Sequence, residues 1–171
     1  MNFLIIFLIV LFFLFFIIFF RTIIPVLFSG AFYAPTRQET VKKMISLAGL
    51  RPGDKAVDLG SGDGRIVIAL SEAGIEAHGY EINPFFVWLA RKNIRKAGLI
   101  DKASIHWKNF WNEDLSEFDI VTVFGIGYMM KKLEIKLKRE LKAGARIVSN
   151  YFTFNKWPYS KKEDNIYLYQ Q

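Results

Sequence analysis

Seven consecutive residues concentrate the chemistry of this chain: Asp58-Leu59-Gly60-Ser61-Gly62-Asp63-Gly64. Glycine has no Cβ, so alternating glycines let the main chain come close to a ligand in conformations other residues avoid. The carboxylate of Asp58 offers an ammonium group a charge-assisted hydrogen bond. Glu81 stands 21 residues beyond Gly60, the distance at which an acidic side chain grips ribose hydroxyls in nucleotide-binding α/β folds. Its two oxygens can accept two hydrogen bonds side by side, which suits a vicinal diol. The implied ligand is a ribonucleoside with an ammonium at its far end.

The dinucleotide fingerprint would require its third glycine at position 65, and that residue is Arg65. An acidic residue followed by three alternating glycines is instead the pattern of loops that bind S-adenosylmethionine (SAM). Asp58, Gly60, Ser61, Gly62, Glu81 and Asn83 are the expected contacts on that side of the ligand. Asn109 carries an amide that can pair with an adenine edge as donor and acceptor. Phe110 and Trp111 offer rings to cover the adenine face. The sequence holds no cysteine and only His78 and His106. Disulfide scaffolds, thiolate zinc sites and cysteine nucleophiles are excluded, and no metal is expected.

These residues must be positioned by alternating strands and helices. Thr36-Arg37-Gln38-Glu39 has capping-box spacing, and Val41, Met44, Ile45 and Ala48 then recur on one helical face. Residues 55–59 read as a strand running into the glycine loop, and 65–73 as the helix leaving it. Residues 75–82 form the next strand. Asn83 and Pro84 open a helix as cap and first residue, with Phe86, Leu89, Ala90 and Ile94 as its inner face. Strands are predicted at 103–107, 118–124 and 145–149. Between the last two lies a helix with Met130, Leu133, Leu137 and Leu141 on one face, and one extra strand follows at 166–169. This alternation predicts an α/β fold, a Rossmann-like doubly wound, mostly parallel sheet.

Ahead of that domain, residues 3 to 20 are eighteen apolar residues in a row. At ~1.5 Å per residue they span ~27 Å, close to the ~30 Å hydrocarbon thickness of a bilayer. The reading is an uncleaved transmembrane anchor and connector over 1–29, then a single catalytic domain over 30–171. Arg21, Arg37, Lys42 and Lys43 follow the apolar run closely, which by the positive-inside tendency puts the domain on the cytoplasmic side of a single-pass protein. The net charge of +7 favours anionic neighbours such as a membrane surface or a nucleic acid.

Four segments carry a more specific resemblance: Tyr33-Ala34-Pro35-Thr36, Val57 through Val67, Gly79-Tyr80-Glu81-Ile82-Asn83-Pro84 and Phe152-Thr153-Phe154-Asn155-Lys156-Trp157. They are similar to the membrane-anchored, class I SAM-dependent protein-lysine methyltransferases of mitochondria and their prokaryotic relatives. That family modifies the ADP/ATP translocase and the ATP synthase c-subunit. The resemblance implies SAM on Asp58, Gly60, Gly62 and Glu81, with Tyr33, Phe124, Phe152 and Trp157 near a substrate lysine. The family usually has aspartate where this chain has Asn109.

The resulting expectation is transfer of a methyl group from SAM to the side-chain amine of lysine in a membrane or membrane-associated protein. No general base is assigned. The alternatives are a methyltransferase acting on RNA, DNA or a small molecule, and a SAM-binding scaffold without catalysis. The run Lys131, Lys132, Lys136, Lys138, Arg139 and Lys142 prompts the nucleic-acid reading. Against it, the fourth strand ends Phe124-Gly125-Ile126-Gly127, not in the Asp/Asn-Pro-Pro-aromatic motif of amino-methylating DNA enzymes.

Overall fold

The computed structural model describes residues 3–29 and 35–171. Its first helix, α1, is Phe3–Ser29. Within it Phe3–Arg21 is long and apolar enough to cross a membrane, with mean hydropathy 3.6. Its side chains from Phe3 to Phe20 are exposed.

The α/β domain follows as α2 (Gln38–Ala48), β1 (Lys55–Leu59), α3 (Arg65–Glu72), β2 (Glu76–Glu81), α4 (Pro84–Lys96), β3 (Ala103–Trp107), a short 3₁₀ turn (Phe110–Asn112), β4 (Ile120–Val123), α5 (Gly127–Glu140), β5 (Arg146–Asn150), β6 (Lys161–Glu163) and β7 (Ile166–Gln170). The sheet order is β3-β2-β1-β4-β5-β7-β6. The first five strands are parallel, β7 runs antiparallel to β5, and β6 pairs antiparallel with β7 at the border. The order reverses between β1 and β4, which makes the carboxyl ends there the crevice where such sheets bind ligands.

Strand side chains alternate between two cores. Ala56, Ala77, Ile105 and Val148 pack under α2, α3 and α4 with Val41, Met44, Val67, Leu70 and Ala90. Val57, Leu59, Val121, Val123 and Ile147 face the other way, onto Phe118, Leu133, Leu137, Trp157 and Tyr169. Every residue of β4 is buried, as expected for a parallel strand covered on both faces. Truncating one of the fully buried leucines, Leu70 or Leu137, to alanine costs ~2–5 kcal/mol at such positions.

Several local expectations are corrected. The capping box does not form: α2 starts at Gln38 with Arg37 as its N-cap and no side-chain cap bond. Thr36 is buried instead, with its carbonyl taken by Arg65 at 2.7 Å. Val87 joins Ala90 and Ile94 on the inner face of α4, whereas Phe86 and Leu89 are half-buried. The fourth strand is shorter at both ends than predicted. The last strand is the inner member of a hairpin whose outer member, β6, is fully exposed and charged. A three-residue Lys-Lys-Glu strand has no alternating apolar signal, so periodicity cannot find it.

Candidate active site

The main chain of the glycine loop hangs from β2. Gly60 and Ser61 both donate their N–H to the carbonyl of Tyr80, at 2.9 and 3.1 Å. Gly60 has φ 83°, and a Cβ there would meet nothing within 4 Å. The glycine therefore serves the turn and leaves open space above it. Gly79 is needed for the opposite reason: its missing Cβ would lie 2.6 Å from both Ser61 Oγ and Ile105 Cδ1. Arg65 braces the loop by bonding Asp63 (Nη2 to Oδ2, 2.6 Å) as well as the Thr36 carbonyl, and Asn93 Nδ2 donates to the Asp63 carbonyl at 2.9 Å.

Two buried carboxylates flank this loop. Asp58 Oδ1 accepts from Thr122 Oγ1 at 2.7 Å, a residue paired with it in the register of β1 and β4. Burial pushes the Asp58 carboxyl up to about 7; the Thr122 hydrogen bond pulls the other way, and the nearby Glu81 and Asp63 carboxylates add to the rise. Glu81 joins loop and helix: Oε2 accepts the Gly62 N–H at 2.9 Å and Oε1 the Asn83 N–H at 2.8 Å. Asn83 in turn caps α4, its Oδ1 accepting from Phe85 N–H at 3.0 Å, an arrangement worth ~1 kcal/mol.

One hydroxyl in this group has no partner among the described residues: Ser61 Oγ is buried without a hydrogen bond. Leaving it so costs ~1–3 kcal/mol. An orphan hydroxyl, an open space over Gly60 and two carboxylates at one strand-end crevice fit a polar, cationic nucleoside. Among the described residues no group of three or more His, Cys, Asp or Glu is arranged to hold a metal ion.

The predicted adenine-side residues are divided. Asn109 caps the 3₁₀ turn, its Oδ1 accepting from Trp111 N–H at 3.1 Å. Phe110 is buried in the second core with its ring 4.7 Å from that of Trp111. Trp111 is half-buried with Lys132 Nζ 4.6 Å over its ring.

Of the predicted substrate-side residues, Phe124 and Phe152 come together, ring centroids 6.4 Å apart, beyond the carboxyl ends of β4 and β5. Trp157 turns into the core. Its indole N–H donates to the Gln170 carbonyl at 3.1 Å and its ring stacks on Phe154 at 5.6 Å. Tyr33 lies outside the described residues.

Four contributors escaped the sequence reading. Thr122 is the hydroxyl that holds Asp58, and its signal was a polar residue inside an otherwise apolar strand. Tyr151, exposed, has φ 72°. The Phe152 N–H folds back onto the Asn150 carbonyl at 3.0 Å, making a γ-turn of the strained hand. Ser149 Oγ secures it by donating to the Phe152 carbonyl at 2.5 Å, and the Asn165 carbonyl accepts the Tyr151 N–H at 2.6 Å. Glu134, buried on α5, accepts the N–H groups of Asn155 and Lys156, each at 3.0 Å, and Lys138 Nζ at 2.9 Å. Burial alone would raise the Glu134 carboxyl, but these donors outweigh it and the net shift is downward. The segment carrying Phe152 is thus pinned at both ends.

Comparison with known proteins matches this architecture. Residues 58–161 match the family described as ANTKMT methyltransferase domain. A lysine N-methyltransferase of mouse (Mus musculus), named for the ATP synthase c-subunit, is 38% identical over 125 residues, 73% of this chain and 50% of its own length. The chain thus spans about half the length of that relative. A protein-lysine N-methyltransferase of Saccharolobus islandicus is 39% identical over 127 residues, covering 73% of this chain and 79% of its own. Among solved structures, an RNA methyltransferase from Salinibacter ruber in complex with S-adenosyl-L-homocysteine superposes with a TM-score of 0.75 at 33% identity, covering 80% of this chain and 91% of that one. The chain belongs to the ANTKMT methyltransferase domain family, on a class I SAM methyltransferase fold.

Proposed function

We propose that this chain is a SAM-dependent methyltransferase that methylates the side-chain amine of lysine in a membrane or membrane-associated protein. In this reading α1 is a single-pass anchor, residues 30–171 are the catalytic domain, and that domain lies on the cytoplasmic side. The observation that carries it is the crevice itself, where Asp58, Ser61 and Glu81 meet an open Gly60 loop at the end of β1, and the Phe124–Phe152 pair follows the next two strands of the sheet, β4 and β5. SAM supplies an electrophilic methyl on a sulfonium.

The chain's own residues then have distinct tasks. Asp58 and Ser61 Oγ take the polar amino-acid end of the ligand, and Glu81 takes the ribose hydroxyls. Gly60 and Gly62 let the main chain close on the ligand. Asn109 and Phe110 border the adenine. Phe124 and Phe152, with Tyr151 beside them at 5.2 Å between rings, line the approach of the amine. A free lysine, pKa ~10.4, is mostly protonated at neutral pH. An apolar aromatic wall disfavours that charge and so raises the fraction of neutral nucleophile. Alignment and desolvation, with no covalent intermediate, are what the reaction requires of the protein.

A reading as an RNA methyltransferase is favoured by the name of the Salinibacter ruber neighbour and by the basic residues around α5. Four of those six charges are already paired: Lys136 with Glu140 at 2.6 Å, Lys138 with Glu134 at 2.9 Å, Arg139 with the other oxygen of Glu140 at 2.6 Å and Lys142, past the helix end, with Asp119 at 2.7 Å. The protein-lysine reading therefore stands first.

The test is transfer of labelled methyl from SAM by the full chain to a membrane fraction, with mass-spectrometric mapping of the modified residue. A labelled lysine in a membrane polypeptide, lost with Glu81→Ala, is the expected result. Label confined to RNA or metabolites would overturn the protein-lysine assignment.

A further inference from the structure

The border of the sheet beside α4 carries a surface that the site does not use. Phe85, Trp88 and Trp107 are 57%, 54% and 59% exposed. The Phe85 and Trp88 rings lie 6.1 Å apart, and Trp88 and Trp107 line one cleft of about 290 Å³ with Arg91 and Arg95. Lys92 Nζ sits 5.2 Å over the Trp88 ring. Helix α4 holds four cations, Arg91, Lys92, Arg95 and Lys96, and no acidic residue. Aromatic rings followed by cations along one exposed helical face are the composition of segments that lie in the headgroup layer.

The fold also sets this surface toward the end where the chain enters. The Thr36 carbonyl is bound by Arg65, the first residue of α3, so the domain begins at the carboxyl end of the sheet. Phe85 at the start of α4 and Trp107 at the end of β3 lie at that same end. α3 packs against both α2 and α4, so entry point and aromatic cluster are about two helix spacings, ~20 Å, apart. Ser29 and Thr36 are seven residues apart, a chain length that spans at most ~25 Å. A bilayer holding α1 would therefore be within reach of this border.

We infer that the α4–β3 border is a second membrane contact, taking anionic phospholipid headgroups on Lys92 and Arg95 while Phe85, Trp88 and Trp107 enter the interface. The inference rests on the anchor reading of α1 and adds an orientation: the crevice is held facing the bilayer plane. The anchor alone would not fix which way the crevice faces.

The chain is well suited to a direct test, because its four tryptophans, Trp88, Trp107, Trp111 and Trp157, all lie outside α1. The full chain is reconstituted in nanodiscs containing brominated phosphatidylcholine, with or without phosphatidylglycerol, and tryptophan quenching is read. We expect at least roughly twofold more quenching when the anionic lipid is present. Trp88→Phe with Trp107→Phe should remove most of it, and Lys92→Gln with Arg95→Gln should bring it down to the neutral-lipid level. Both pairs are exposed, and circular dichroism on the same samples verifies their fold. Quenching that is absent with anionic lipid, or that survives the double tryptophan variant, overturns the inference. So does an emission change produced by a single-stranded oligoribonucleotide but not by lipid, which would make this an RNA surface. Extraction of the chain by alkaline carbonate would sink the anchor reading; a retained chain with unquenched tryptophans sinks the border contact alone.

Discussion

The two sides of the crevice are built by different means. At β1 and β2 the walls are main chain and short polar side chains: the Gly60 and Ser61 N–H groups on the Tyr80 carbonyl, and Glu81 bridging Gly62 and Asn83. At β4 and β5 they are rings, Phe124 and Phe152, presented by a strained γ-turn and a loop bound to the buried Glu134. The first side is stiff and suits an invariant ligand. The second depends on a few long-range bonds, and under the proposed function this is where specificity for a protein substrate would be adjusted without disturbing the first.

That contrast can be broken most severely at Glu81. Glu81→Ala removes both backbone bridges and the expected ribose contact, and calorimetry should register a loss of SAM affinity of at least ~100-fold. An affinity within a few-fold of the parent would refute the assignment of the first wall. Glu134→Gln attacks only the second wall. It should lower kcat/KM for the protein substrate by about tenfold through misplacement of Phe152, with the SAM dissociation constant unchanged; a parallel loss of SAM binding would mean the two sides are not separable.

Asp58 gives a finer probe. Its carboxyl is raised to about 7 by burial, so at pH 6 most of the unliganded protein holds it neutral, whereas a bound ammonium favours the anion. SAM affinity should tighten about five- to tenfold from pH 6 to pH 7.5, and Asp58→Asn should flatten that profile. The sign for stability is opposite: the unfolded chain ionises near 3.8 and the folded one near 7, so this group's contribution declines as pH rises between those values and is constant above. The smallest effect is expected at Tyr151. Tyr151→Gly relieves the positive φ and should raise stability by ~1 kcal/mol in thermal denaturation, while methyl transfer falls because the ring is lost. A lower Tm would show that the ring, not the turn, dominates that position.

The first wall was legible because its information is local. Three glycines, an aspartate and a glutamate at fixed separations specify a loop whatever surrounds it, and strand boundaries around them were correct to within a residue or two. The second wall was legible only as residue types. Phe124 and Phe152 were singled out and do meet, but Trp157 belongs to the core, because indole placement follows from Gln170 and Phe154, partners no spacing rule connects to it. Thr122, Glu134 and Ser149 act through registers and packings that exist only once the sheet has formed. The capping box failed for a related reason: Arg65 claims the Thr36 carbonyl, and a tertiary bond overrode a local motif.

The two border strands of the sheet have a consequence of their own. At one side β6 is three exposed charged residues, Lys161, Lys162 and Glu163; at the other, the Ile105 carbonyl of β3 is occupied by Arg91 through Nε and Nη2 at 3.0 and 2.8 Å. An open sheet is a template for adding strands from another molecule, and short charged or occluded margins prevent it. Under the proposed anchoring, copies of the chain confined to the plane of a bilayer would meet edge-on more often than in bulk solution. With both margins blunted in this way, strand pairing between copies is disfavoured.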